Sequence, residues 1–215
     1  GQAPNDDRLL NIPLRSDLSG LEAADLRQRF GLGPEDLLFL YQGLLGHGRG
    51  LEALFEAFAE AGGRRHLVVM GYGLLEDLAR QTAATNANIH FHPAVPPTEL
   101  LRYTLCADVG LAYIQPISPS YRYCLPNKLF EYLACGIPVL VSDLPDMGSL
   151  VDRYGCGWRV PLDQGELGRQ LAGIDAAALG EKAAGAERAA AEMRWADEAR
   201  VYTANLKSTR QESRT

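Results

Sequence analysis

The sequence predicts an α/β fold, a Rossmann-like parallel sheet of about six strands with helices on both faces and a helical tail behind it. Three observations carry this. Between Leu37 and Val160, short apolar runs alternate with amphipathic segments, the order expected of right-handed β-α-β units. Several of the runs are continuously apolar, as strands are when both faces of the sheet are covered. The chain is also an ordinary globular mixture, 47% hydrophobic and 22% charged over 215 residues. A chain of that length makes one large domain and buries roughly 70% of its unfolded surface.

The elements follow in order. Residues 1–19 are polar and broken by Pro4 and Pro13, and read as a linker or the remnant of an interdomain segment. "LEAADLRQRF" (21–30) is a short helix stopped by Gly31 and Gly33. "LLFLYQG" (37–43) is a strand, and "GLEALFEAFAEA" (50–61) an amphipathic helix with Leu51, Leu54, Phe55 and Phe58 on one face. "HLVVMG" (66–71) and Leu74–Thr82 repeat the pair, and "NIHFHP" (88–93) with "PTELLRYTLC" (97–106) repeat it again. "DVGLAYI" (108–114) is the fourth strand, followed by a loop over 115–125. A helix (126–135) and a strand (137–142) come next, then a helix at "GSLVDRYG" (148–155) and a strand at "CGWRV" (156–160). The sheet domain is placed at 20–174, helices rich in Ala and Glu packing on it at 175–207, and a frayed tail at 208–215.

Charge and cysteines narrow the function classes. The net charge of −6 argues against nucleic acid as a bulk electrostatic partner, while leaving room for a small anion held by a few local cations. Cys106, Cys124, Cys135 and Cys156 form no C-x-x-C pair and have no metal-ligand spacing. They read as reduced thiols in a cytoplasmic protein. No run reaches the roughly 18 to 20 apolar residues of a membrane span, and no signal peptide opens the chain. The first residue is not Met, so the chain reads as a piece of a longer protein.

Ligands of an open parallel sheet bind beyond the carboxyl ends of its strands, where the strand order reverses. Three loops there are unusual. "QGLLGHGRG" (42–50) holds Gly43, Gly46, Gly48 and Gly50, with Arg49 just before a helix. It matches neither a dinucleotide fingerprint nor a P-loop. A phosphate cradle and a flexible turn with a solvated Arg49 both fit it. His47 has no carboxylate beside it in sequence and reads as a loop residue rather than a catalytic base. "GYG" (71–73), with Gly71 and Gly73, reads first as a tight strand-to-helix turn. The third loop, "QPISPSYRYCL" (115–125), runs into "PNKLFEYLA". Pro126 suits a first helical position. The free amides behind it favour an anion, and Lys128 adds a positive charge. Asn127, Lys128 and Glu131 share a face by helical spacing, with Leu129, Phe130 and Leu133 turned to the core. A carboxylate accepts two hydroxyls at once, so a diphosphate at the helix start and a ribose at Glu131 would form one ligand. A surface helix with a weak Lys128–Glu131 pair fits these residues equally.

"PNKLFEYLACGIPVLVSD" (126–143), "GLL…RGLEALFEAF" (43–58) and "LVVMGYG" (67–73) together resemble the C-terminal, donor-binding domain of GT-B glycosyltransferases, most of all family 4, also called group 1. The resemblance runs from Leu37 to Leu171, and the Trp195 region is similar to the family's closing helix. It implies one half of a GT-B fold and a retaining, metal-independent transfer of a hexose-type sugar in glycan or polysaccharide synthesis. The donor would be a UDP- or GDP-sugar, as substrate with no cofactor. By this resemblance Arg49 contacts the donor diphosphate and Glu131 is the second glutamate of the E-x7-E motif, holding the ribose. Lys128 shares the catalytic set with them. Gly43, Gly46, His47, Gly48, Gly71, Gly73, Tyr123, Leu125, Pro126 and Asn127 complete the donor site. Two departures stand out. Tyr123 occupies the place of the first glutamate, and Leu44 that of the arginine in Gly-Arg-Leu.

The acceptor side of such enzymes comes largely from an N-terminal domain, and by this resemblance that domain is expected to lie outside these 215 residues. By itself the chain is expected to bind donor and transfer little, and any membrane contact would belong to the absent half. A non-catalytic binding module and a nucleotide-sugar 2-epimerase-like enzyme are the alternatives. The latter expects paired acid and base carboxylates that the strand-end loops do not offer. A receiver-like domain would need acidic residues after the first strand, and "YQGLLG" has none.

Overall fold

In the computed structural model, which describes residues 18, 20–163 and 165–193, six strands form one parallel sheet. They are β1 (Leu37–Leu44), β2 (Arg65–Tyr72), β3 (Ile89–Pro93), β4 (Val109–Ala112), β5 (Val139–Ser142) and β6 (Gly157–Val160), in the order β3-β2-β1-β4-β5-β6. The chain builds outward from β1 to β3, then returns to lay β4 against the other edge of β1. The order therefore reverses between β1 and β4, and a crevice opens beyond their carboxyl ends.

Strand alternation divides the core in two. On one side Phe39 and Tyr41 of β1 and Leu67 and Val69 of β2 pack under α2 (Leu51–Ala61), α3 (Glu76–Thr85) and α8 (Glu166–Gly173). On the other, Leu38 and Leu40 with Val68 and Met70 pack under α1 (Leu26–Phe30), α4 (Leu100–Thr104), α6 (Asn127–Ala134), α7 (Pro145–Tyr154) and α9 (Ala176–Glu192). Leu51, Leu54, Phe55 and Phe58 are buried on the expected face of α2. Each such side chain contributes about 1.5 to 3 kcal/mol by leaving water. Leu129, Phe130 and Leu133 of α6 are likewise buried. Tyr132 of the same helix lies across Gly110 of β4, where a Cβ would overlap the tyrosine ring. Its hydroxyl donates to Leu40 O at 2.8 Å, which ties α6 to the centre of the sheet.

Several boundaries differ from the sequence reading. The first helix begins only at Leu26, where the Asp25 side chain accepts the Gln28 N–H at 2.8 Å and caps it. The segment 97–106 is helical only over Leu100–Thr104, because Pro96 and Pro97 hold its start in a turn that Glu99 N–H closes onto Pro96 O. The 115–125 loop contains a helical turn, α5 (Pro119–Arg122), opened by Ser118 as N-cap and Pro119 at the first position. In the same way α7 starts at Pro145 rather than at Gly148. α8 is an element the sequence reading did not contain.

In the tail, α9 is one helix that packs on α6 and α7. Gly185 brings it so close to the Gly155 carbonyl that a Cβ would clash, and Ala186 and Ala189 are fully buried. The linker residues 1–17 and 19, the Trp195 region and the frayed tail at 208–215 lie outside the described residues. No helix among the described residues is long and apolar enough to cross a membrane.

Candidate functional site

The loops that leave β1 and β4 face each other across the crevice. Gln115 N–H donates to Gly48 O at 2.9 Å, and Ile117 lies on Gly48 where a Cβ would stand. Gly48 has φ +73°, so both its backbone and its neighbour require glycine. This contact clamps the two loops together and sets Arg49 beside the 115–125 segment.

Arg49 is not a solvated loop residue. It is half-buried, its guanidinium lies 4.9 Å from the centroid of the Tyr121 ring, and its Nε is buried with no hydrogen-bond partner. Lys128 is only 8% exposed, and its Nζ stands 3.4 Å above the centre of the Tyr41 ring. Burial, and then the charge of Arg49, draw the Lys128 ammonium down to about 7, while Glu131 acts weakly in the other direction. Among the described residues neither cation is in an ion pair with a carboxylate. A half-buried and a buried basic side chain that repel each other, one with an unsatisfied N–H, make an arrangement that an anion would relieve.

The helix start adds to it. Pro126 is the N-cap of α6, in extended conformation, rather than its first helical residue. Its carbonyl accepts the Leu129 N–H at 3.0 Å, so that amide is occupied. No side chain caps α6, and the amides of Asn127 and Lys128 point out of the helix start, where the dipole favours negative charge. The Asn127 side chain is exposed.

Glu131 also turns inward, so α6 is not a surface helix carrying a Lys128–Glu131 pair. Its Oε2 accepts the Gln42 Nε2–H at 2.6 Å. Burial raises its pKa, and the Gln42 hydrogen bond and then Lys128 oppose that rise. Gln42 is 1% exposed, and its Oε1 accepts the Thr104 hydroxyl at 2.9 Å. Tyr41, Gln42, Thr104 and Tyr121 were not among the sequence candidates. Gln42 had one signal, as the single amide in an otherwise apolar strand.

The other candidates spread around this centre. Gly43 faces Lys128, whose Cε lies 3.8 Å from where a Cβ would be. Gly46 is buried inside its loop. Gly71 and Gly73 are packed against the Gly43 and Leu45 carbonyls, so "GYG" is a turn built by close backbone approach. His47 is exposed and lies 3.4 Å from Glu52, a carboxylate five residues on that the sequence reading did not credit to it. Leu125 and Pro126 are half-buried, and Tyr123 is 58% exposed with the Arg122 guanidinium 5.9 Å from its ring centre. A cavity of about 690 Å3 lies elsewhere, between α2 and α8. Glu52, Glu56, Glu60 and Asp163 line it, which makes it hostile to an anion.

Solved structures share this fold. The chain matches WaaG, a glycosyltransferase involved in lipopolysaccharide biosynthesis, with a TM-score of 0.56 and 21% identity over 78% of this chain and 46% of that one. It matches sucrose-phosphate synthase from Thermosynechococcus elongatus with a TM-score of 0.66 and 20% identity, over 95% and 53% of the two chains. It matches Anabaena HepE in complex with UDP-glucose with a TM-score of 0.64 and 16% identity, over 93% and 56%. The chain thus spans about half the length of these proteins, as one Rossmann-like half of a GT-B fold does. No curated protein sequence matches it. Residues 36–174 match the profile of the family described as "Glycosyl transferases group 1", and the chain belongs to that family.

Proposed function

We propose that this chain is the nucleotide-sugar-binding half of a retaining glycosyltransferase that moves a sugar from a UDP- or GDP-sugar to an acceptor held by a second domain. The observation that carries the reading is a pair of cations with no ion pair among the described residues, half-buried Arg49 with its orphaned Nε and buried Lys128 on the Tyr41 ring. They converge at the switch point of the sheet, next to the open amides of Asn127 and Lys128 and within one helical turn of Glu131. A donor diphosphate satisfies the cations and the helix start, and its ribose hydroxyls reach the free lone pairs of Glu131. As the sugar–phosphate bond breaks, negative charge grows on the leaving diphosphate. Arg49, Lys128 and the helix-start amides then bind it more tightly than they bind the intact donor, which lowers the barrier without a metal ion. Tyr123 takes the place of a carboxylate by the family resemblance, so a sugar contact there would be made by an aromatic face and a phenolic hydroxyl rather than a charge.

The family match and the UDP and UDP-glucose bound to HepE support a nucleotide-sugar ligand. The test is calorimetric titration with UDP, GDP, ADP and their sugar conjugates. Glu131→Ala is expected to weaken the tightest of them by about 1 to 3 kcal/mol, the cost of a lost hydrogen bond to a charged group. Unchanged affinity removes Glu131 as the ribose holder. A second reading, a non-catalytic binding module, draws on the missing carboxylate at Tyr123. Joining the chain to its acceptor domain and assaying transfer decides between them.

A further inference from the structure

We infer that Gln42 is a positioning residue, which fixes the Glu131 carboxylate in place so that one oxygen is left for the ribose. The inference rests on the donor-binding reading above. Gln42 is held from three sides. Its side-chain Nε2–H donates to Glu131 Oε2 at 2.6 Å, its Oε1 accepts from Thr104 Oγ1 at 2.9 Å, and its backbone N–H donates to Tyr132 Oη at 3.1 Å. Only one orientation of the amide works. An ionised carboxylate can only accept, so the NH2 group must face Glu131 and the carbonyl must face the Thr104 hydroxyl. The reverse orientation would set two oxygens against each other at contact distance.

Packing alone does not explain the residue. Gln42 is 1% exposed in a strand whose neighbours are Leu38, Phe39, Leu40 and Tyr41, and burying an amide there costs free energy that an apolar side chain would not. The bond it makes engages Oε2 and no other carboxylate oxygen. It also stabilises the ionised form of a carboxyl group whose burial favours the neutral one. A neutral Glu131 would accept one ribose hydroxyl fewer. Thr104 is the second support, and because its hydroxyl also reaches Leu100 O at 3.1 Å, it keeps a partner when Gln42 is removed.

The test uses Gln42→Met, which keeps shape and volume and removes the amide. Affinity is measured across pH 5 to 9 for whichever of UDP, GDP and ADP binds best and for its 2′-deoxy counterpart. The wild type is expected to prefer the ribonucleotide by roughly 5- to 50-fold. Gln42→Met and Glu131→Ala should each remove most of that preference. In Gln42→Met the 13C-detected titration of Glu131 should also show a raised midpoint, a readout that the titration of Lys128 in the same pH range does not share. If Glu131→Ala loses the preference while Gln42→Met keeps it with an unmoved Glu131 midpoint, the positioning role is overturned and the donor reading stands. If Glu131→Ala keeps the preference, the ribose reading and this inference fall together. Should Gln42→Met not fold, Thr104→Val gives a weaker change of the same sign, and Thr104→Ser, which keeps the hydroxyl, retains the wild-type preference and midpoint. A Thr104→Val protein with wild-type preference and midpoint overturns the inference as well.

Discussion

The two ends of the sheet bury basic side chains in different ways. At the amino end, His66 of β2 and His90 of β3 lie with their rings nearly parallel, 10° apart, and His66 Nδ1 and His90 Nε2 share a hydrogen bond of 3.0 Å. Phe30 stacks on His90 with centroids 4.6 Å apart. Burial, and then His66, push the His90 pKa down to about 4, so the His90 ring is neutral and its Nε2 is hydrogen-bonded. At the carboxyl end, the Arg49 Nε is buried with no hydrogen-bond partner, and Lys128 lies over the Tyr41 ring rather than on a hydrogen-bonding side chain. A buried group that is satisfied internally supports the fold. A buried polar group left unsatisfied holds free energy that a ligand could release, and this contrast is what supports the carboxyl end as the proposed ligand site.

The largest effect that would break the contrast is on ligand binding. Arg49→Met is expected to weaken nucleoside diphosphate binding about 10- to 100-fold while leaving the melting temperature of the free protein unchanged or higher. A clear loss of stability would mean that Arg49 supports the fold. Gly110→Ala, which drives a Cβ into the Tyr132 ring, should cost about 1 to 3 kcal/mol in urea unfolding. Because it displaces α6 without touching a charge, binding should weaken along with it.

Lys128→Met sharpens the comparison through pH. The folded pKa of Lys128 is about 7, against 10.5 for the ordinary side chain. Between those values the unfolded chain binds a proton that the folded chain does not, so wild-type stability rises with pH across that window. Below pH 7 the full cost of a buried ammonium is present, and Lys128→Met should be more stable there by about 1 to 3 kcal/mol. The gain should fade as pH rises from 7 towards 10. By the same logic, diphosphate binding at pH 8 should take up a proton, read from calorimetry in buffers of different ionisation enthalpy.

The smallest effect lies at the histidine end. His90 has a folded pKa of about 4 against 6.5, so stability is lost as pH falls from 6.5 to 4. His90→Phe should remove on the order of 1 kcal/mol of that acid sensitivity, since the site is partly open to solvent, and leave nucleotide binding as it was.

The sheet was legible in the sequence because its strands are apolar runs and its helices amphipathic, so composition alone separates them. The placement of Arg49, Lys128 and Glu131 near one crevice followed from their lying after β1 and β4, the strands between which the sheet order reverses. What the sequence concealed was direction. Helical spacing groups Lys128 with Asn127 and Glu131 on one face, yet the lysine bends under the helix onto Tyr41 while Asn127 stays in solvent. The Gln42–Glu131 bond joins residues 89 positions apart, and only the folded topology brings them together. The α5 turn had a local signature, Ser118 followed by Pro119, which the length of the loop obscured. The short α4 reflects a balance between two prolines and an apolar periodicity that spacing alone does not decide.

The contact between Gly185 and the Gly155 carbonyl bears on where the protein can be cut. The family match ends at residue 174, just before α9, and would suggest that a shortened chain could stop there. Such a chain would bare the apolar backs of α6 and α7, including Leu133 and Val151, which are buried in the same core as Ala186 and Ala189. The helix that presents Lys128 and Glu131 to the crevice would lose its outer wall. A recombinant boundary must therefore lie beyond Glu192, whatever the family profile spans.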